Sequence, residues 1–85
     1  MRPIFVQIKC EMGAAYAVAQ SAVDTIEELS EIYSTSGQYD LIGKFYLDAE
    51  QDTGLFVTDR IQTIKGVADT YTLITFNAFA TGRTR

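Results

Sequence analysis

The stretch LSEIYSTSGQYDLIGKFYL, residues 29–47, predicts two strands joined by a short turn. Its second part, 39–47, alternates between two faces, as a strand with one buried face requires. Its first part, 29–35, is rich in the β-branched and aromatic residues that favour strands, although the glutamates near its start could instead extend a helix. Ser36-Gly37-Gln38 supplies turn residues between the two parts. The stretch therefore predicts a β-hairpin.

The segments upstream of this hairpin predict a strand and then a helix. Residues 4–10 alternate, so one side of a strand collects Ile4, Val6, Ile8 and Cys10. Gly13 then opens an alanine-rich run in which small apolar residues recur at helical spacing. We predict that this helix ends near residue 23 or 24.

The segments downstream of the hairpin predict a second helix and a fourth strand. Residues 48–52 are polar and offer helix-start chemistry, and Val57, Ile61 and Ile64 then fall on one helical face. We expect this helix to run to about Ile64 and to stop at Gly66. Residues 67–76 have the composition of a strand, and 77–85 form a tail.

The order β-α-β-β-α-β predicts an α+β fold, the ferredoxin-like sandwich: a four-stranded antiparallel sheet with two helices on one face. A short internal echo supports this order, since 26–29 and 64–67 stand at equivalent points and a tyrosine follows each four residues later, Tyr33 and Tyr71. The sheet face without helices is expected to carry Phe5, Ile42 and Tyr46. A chain of 85 residues has one small core, so these apolar side chains predict face-to-face dimerisation.

The composition excludes several function classes. Seven basic and eleven acidic side chains give a net charge of −4, which disfavours direct nucleic-acid binding. The sequence has no histidine, so an enzyme hypothesis would depend on Asp, Glu, Tyr and one cysteine. No signal-peptide pattern and no apolar run long enough to span a membrane are found, so we expect a cytoplasmic protein without membrane contact.

Two groups of reactive side chains favour structural interpretations. Cys10 shares the apolar face of its strand, so a buried thiol is favoured over a reactive one. Glu27, Glu28 and Glu31 lack the pattern of a cation-binding loop, and a solvated acidic face is favoured for them.

The turn of the hairpin has two interpretations. Local chemistry favours an ordinary turn in which Gly37 takes a positive φ and Asp40 accepts hydrogen bonds from backbone amides. Alternatively, the turn amides and the Asp40 carboxylate form a polar pocket for a small zwitterion, whose carboxylate needs N–H donors and whose ammonium needs an anionic acceptor.

A wider pattern surrounds this turn. Gly37-Gln38-Tyr39-Asp40 follows Ile32-Tyr33, and Ile64-Lys65-Gly66-Val67 comes about 25 residues later, leading into Thr70-x-Thr72-Leu73-Ile74. The pattern resembles the effector-binding domain of the leucine-responsive/asparagine regulator (Lrp/AsnC) family. The resemblance covers about residues 4–76, which suggests a ligand-binding domain over 1–76 and a tail over 77–85.

The resemblance implies a domain that dimerises through its sheets as a dimeric α+β barrel, forms rings of dimers such as octamers or decamers, and binds amino acids between dimers without a cofactor. Family members usually carry an N-terminal helix-turn-helix domain. This chain is similar to the stand-alone members, which implies co-assembly with full-length regulators. Two departures from the family pattern alter loop shape: Glu27-Glu28 replaces Pro-Gly, and Lys65 replaces Pro.

The resemblance also implies which side chains face the ligand. Thr70 and Thr72 share one face of their strand, although ordinary β-branched strand residues are an equally open interpretation. The implied ligand-binding residues are Ser36, Gly37, Gln38, Tyr39, Asp40, Thr70 and Thr72.

Three functions remain in competition. The leading hypothesis is a non-enzymatic effector-binding and oligomerisation module that modulates transcription through full-length regulators. The alternative is a small dimeric α+β barrel enzyme, a cofactor-free monooxygenase or isomerase, which rests on fold analogy alone. The third is an assembly subunit that has lost ligand binding.

Overall fold

The strands and helices follow the predicted order in the computed structural model, which describes residues 1–79. The strands pair antiparallel in the order β2-β3-β1-β4, so the ferredoxin-like α+β prediction is confirmed. Most of the predicted tail, 77–85, lies outside the described residues. The elements are β1 (Arg2–Cys10), α1 (Ala15–Thr25), β2 (Leu29–Ser34), β3 (Leu41–Leu47), α2 (Thr53–Phe56) with its π-helical continuation (Val57–Ile61), and β4 (Val67–Ile74).

The core lies between one face of the sheet and the two helices. Alternation places every second residue of the central strands against the helices, as the sequence predicts. Phe45 is fully buried, and its ring meets Phe56 edge to face with 5.5 Å between ring centroids. The buried hydrophobic residues are Ile4, Val6, Ile8, Val18, Ala22, Ile26, Leu41, Phe45, Leu47, Phe56, Val57 and Ile61.

The second helix begins as predicted but ends earlier. The Asp52 side chain accepts a hydrogen bond from the Leu55 N–H at 2.9 Å, which caps the first turn. The helix then widens into a π-helical turn, closed by the Gln62 N–H donating to the Val57 oxygen at 2.9 Å, and it stops at Ile61 rather than near residue 64.

The internal echo of the sequence corresponds to a repeated turn. The Leu29 N–H donates to the Ile26 oxygen and the Val67 N–H to the Ile64 oxygen, both at 3.2 Å. Each turn leads into an edge strand of the sheet. The two halves of the fold therefore enter their edge strands in the same way.

The sheet face opposite the helices, called the open face below, carries a set of aromatic and aliphatic side chains. The register pairs Phe5 with Leu73, Gln7 with Tyr71 and Tyr33 with Ile42, and paired residues of antiparallel strands share a face. The expected placement of Phe5, Ile42 and Tyr46 is confirmed. The side chains on this face include Pro3, Phe5, Gln7, Lys9, Glu31, Tyr33, Ile42, Lys44, Tyr46, Asp69, Tyr71 and Leu73.

Candidate functional site

The hairpin between β2 and β3 is closed by bonds at its base. The Thr35 N–H donates to the backbone oxygen of Asp40 at 2.9 Å, and the Thr35 hydroxyl donates to the backbone oxygen of Tyr39 at 2.9 Å. Gly37 has a φ of +114°, so the expected positive φ is confirmed. Within the part of the chain that the structure describes, the N–H groups of 36–39 donate to no protein acceptor. Four successive amides are therefore available to solvent or to a ligand.

Asp40 attaches this hairpin to β1. Its N–H donates to the Ile8 oxygen at 2.9 Å, and its Oδ2 accepts the Cys10 N–H at 2.7 Å. The β1–β4 register shifts between Lys9 and Cys10, and the Asp40 carboxylate satisfies the Cys10 amide at this irregularity. The expected hydrogen bond from a backbone amide to Asp40 is present, and it occupies one of the two carboxylate oxygens.

The thiol of Cys10, predicted to be buried, is only partly shielded from solvent. Cys10 is half-buried and packs against the core. Burial, and then the negative charge of Asp40, raises the pKa of the Cys10 thiol above its ordinary value. The thiol form is therefore favoured over the nucleophilic thiolate.

An open cavity of about 580 Å³ lies beside the hairpin. Tyr39 and Tyr71 stack along it with ring centroids 6.2 Å apart and an interplanar angle of 29°. The remaining lining residues carry amides or hydroxyls: Gln7, Thr35, Ser36 and Gln38. Because Gln7 and Tyr71 belong to the open face, the cavity lies at the end of that face next to the hairpin.

Thr70 and Thr72 lie on the other side of the sheet from this cavity. The register pairs Thr70 with Ile8 and Thr72 with Val6, so both hydroxyls share the face covered by the helices. The Thr70 hydroxyl accepts a hydrogen bond from the Gln62 amide at 2.8 Å. A single chain thus brings Ser36, Gln38 and Tyr39 to the cavity. The other predicted ligand-binding residues do not line it, and their ligand contact stays a prediction: Gly37, Asp40, Thr70 and Thr72.

Sequence reasoning missed three residues of this region: Gln7, Lys9 and Tyr71. The Lys9 Nζ donates to the backbone oxygen of Gln38 at 3.1 Å. Lys9, Gln38 and Tyr39 also line a second cleft of about 320 Å³. The internal echo had already singled out Tyr71. The alternation of β1 places Gln7 and Lys9 on one face, and this was the signal that could have found them.

The centre of the open face contains one lysine among aromatic rings. The Lys44 Nζ lies 5.1 Å from the centroid of the Tyr46 ring and 5.9 Å from that of Phe5. The neighbouring Tyr46 side chain raises the pKa of Lys44, and a hydrogen bond to Glu31 raises the pKa of Tyr33. Lys44 therefore remains a cation at neutral pH.

The expectation of a solvated acidic face is wrong for Glu28. This side chain is largely buried: its Oε1 lies 3.7 Å from Arg60 Nη1, and its Oε2 accepts a hydrogen bond from Gln51 at 2.9 Å. The loop in which Glu27-Glu28 departs from the family pattern is therefore held to the second helix and to the segment before it. A group of three or more side chains able to hold a metal ion is not found in residues 1–79. Among the helices described here, none combines the length and the apolar character needed to cross a membrane.

Comparisons with known proteins agree with this geometry. The sequence model of the Lrp/AsnC ligand binding domain matches residues 4–84. The HTH-type transcriptional regulator FL11 of Pyrococcus abyssi is 36% identical over 70 residues, which are 82% of this chain and 45% of that protein. The chain thus spans less than half the length of this curated relative.

Two solved structures show the same fold. The structure of E. coli AsnC superposes with a TM-score of 0.82 at 25% identity, covering 98% of this chain and 55% of the other. The transcriptional regulator NMB0573 of Neisseria meningitidis, solved as a complex with L-Met, superposes with a TM-score of 0.78 at 15% identity. That match covers 98% of this chain and 56% of the other.

Proposed function

The chain belongs to the Lrp/AsnC ligand-binding domain family, and we propose that it binds a small effector and couples this binding to assembly without catalysing a reaction. The effector is an amino acid or a related zwitterion, and its site is the hairpin 36–40 at a boundary between subunits. One observation carries the proposal: the amides of 36–39 have no acceptor among the described residues, and Ser36, Gln38 and Tyr39 line one open cavity in which Tyr39 stacks on Tyr71.

The chemistry of the hairpin suits a zwitterion. Free N–H groups of a turn provide donors for a carboxylate. The Asp40 oxygen that does not bind Cys10 provides an acceptor for an ammonium group. The stacked tyrosines offer an apolar wall to the side chain of the ligand. The L-Met complex of a distant relative supports an amino acid as the effector.

The placement of Thr70 and Thr72 supports a site between subunits. Their hydroxyls lie on the helix-covered face, whereas the cavity beside Tyr39 lies on the open face. One ligand can contact both groups only if they come from different chains. We therefore propose that the threonines act on a ligand held by a neighbouring subunit.

The open face supports the first step of assembly, a face-to-face dimer. Tyr33 and Tyr71 are 58% and 53% exposed in the single chain, and a small domain gains stability when such a surface is covered. The charge at the centre of this face is already partnered, because Lys44 lies over two rings and opposite Glu31 in the strand register. Covering the centre of this face therefore leaves the charge of Lys44 with partners.

The proposal also includes a step beyond the dimer. Dimers join into a ring, and a ligand bound between dimers shifts the assembly equilibrium by no more than its difference in affinity for the two states. In the cytoplasm the chain would act on transcription by co-assembling with full-length regulators. Enzymatic activity, the alternative, gains no support from any feature of residues 1–79.

Calorimetric titration with each of the twenty common amino acids at millimolar concentration tests the proposal. At least one is expected to bind, and Asp40→Asn is expected to weaken it while the oligomer persists. Asp59→Asn, an equal change of charge on an exposed helical residue, is the matched control and should bind as the wild type does. A stable oligomer that responds to none of the twenty would instead indicate an assembly subunit without ligand binding.

A further inference from the structure

Lys9 places a positive charge beside the free amides of the hairpin. It is the last residue before the irregularity that ends the regular β1–β4 register, and its Nζ donates to the Gln38 oxygen at 3.1 Å. Gln38 and Tyr39 line both the cavity next to Tyr71 and the smaller cleft that contains Lys9. The exposed ammonium group is therefore next to the proposed ligand cavity.

The charge of Lys9 has no acidic partner in the part of the chain that the structure describes. Among residues 1–79, no carboxylate oxygen lies within 4.0 Å of its Nζ. Its partner in the strand register, Asp69, uses Oδ1 to accept the Thr70 N–H at 2.9 Å. Arg60 and Lys44 differ in this respect, because the first pairs with Glu28 and the second lies over aromatic rings.

We propose that Lys9 selects the anionic end of the ligand by binding its carboxylate together with the amides of 36–39; this inference rests on the proposed function. A lysine next to free N–H groups forms a site for a carboxylate, since both supply donors to its oxygens. The free Asp40 oxygen supplies the opposite charge for the ammonium group. The two ends of the ligand are thereby distinguished, and an amino acid without its carboxylate loses the Lys9 contribution.

A paired titration of protein and ligand variants tests this assignment. L-methionine and L-methioninamide are titrated into the wild type, Lys9→Met, Lys9→Arg and Lys65→Met. Lys9→Met is expected to weaken L-methionine binding about tenfold, the effect of losing one exposed charge-assisted hydrogen bond, and to leave the amide unchanged. Lys9→Arg should restore binding, and Lys65→Met is the matched control. Equal losses for the two ligands in Lys9→Met, or no loss, would overturn the role of Lys9.

A second measurement separates this inference from the proposed function. Acetate, a carboxylate with no ammonium group, is titrated while the backbone amide NMR signals of 36–39 are followed. We expect these signals to shift in the wild type and to stay in place in Lys9→Met. If acetate shifts them and no amino acid binds, the anion site stands and the proposed function fails. If amino acids bind and acetate has no effect, the proposed function stands and the role of Lys9 is refuted.

Discussion

The hydrogen bond from the Cys10 N–H to the Asp40 carboxylate predicts different effects of two Asp40 variants on the stability of the fold. In Asp40→Ala the Cys10 N–H loses its acceptor at a half-buried position where the β1–β4 register shifts. Leaving such a donor unpaired costs about 1–3 kcal/mol, and the partial exposure of the site favours the lower half of that range. In Asp40→Asn the side-chain oxygen remains available to the same N–H. The loss in unfolding free energy should then be below about 1 kcal/mol.

Urea unfolding at a fixed protomer concentration measures both variants, because an oligomer links stability to concentration. Asp40→Ala should also lower the melting temperature by roughly 4–16 °C, given about 4–8 °C per kcal/mol for a domain of this size. Equal losses in the two variants would refute the assigned bond, as would an unchanged Asp40→Ala. If the predicted difference is found, Asp40→Asn is the variant in which a change in ligand affinity can be measured without a large change in stability.

Three further predictions follow from the packing, the thiol and the open face. Gly43→Ala should lower the unfolding free energy by about 1–3 kcal/mol in urea, because a Cβ there would lie 2.8 Å from the ring of the buried Phe45; an unchanged midpoint would contradict this. Alkylation of Cys10 by iodoacetamide should stay slow until the pH exceeds the ordinary thiol pKa, because the pKa of this thiol is raised in the folded protein; rapid alkylation at pH 7.5 would contradict this. The unfolding free energy should fall as the pH rises further, since the folded protein holds this proton more tightly than the unfolded chain does. Ile42→Lys should raise the dimer dissociation constant about 100-fold in sedimentation velocity, because it would bury an unpaired charge, whereas Val23→Lys on the exposed side of α1 should leave it unchanged; equal effects would argue against the open face as the interface.

The sequence was sufficient for the parts of the fold that depend on local periodicity. Alternation in β1 and β3 correctly assigned the core and open faces, because one side of each strand is strongly apolar. The turn signal of the hairpin was likewise correct, whereas Gly66, predicted to stop the second helix, has a positive φ in a turn that follows the end of that helix at Ile61. The π-helical turn before Gln62 was missed because the spacing of Val57, Ile61 and Ile64 fits an ordinary α-helix.

The sequence did not predict which residues of strand β4 line the cavity, or which long-range contacts hold the hairpin in place. Both faces of β4 carry residues of high strand propensity, so its own pattern does not show that Tyr71, and not Thr70, shares the cavity with Tyr39. The bond from Cys10 to Asp40 spans 30 residues and depends on a register shift that no local pattern encodes. Contacts that form only through tertiary structure are therefore not predictable from local sequence patterns.

Sedimentation velocity of the wild type, with and without the amino acid that calorimetry finds to bind, tests whether effector binding is coupled to assembly. We predict that the ligand changes the distribution between dimers and larger rings, and that Asp40→Asn retains the assembly but loses most of this response. An amino acid that binds tightly and leaves the distribution unchanged would contradict the coupling of effector binding to assembly.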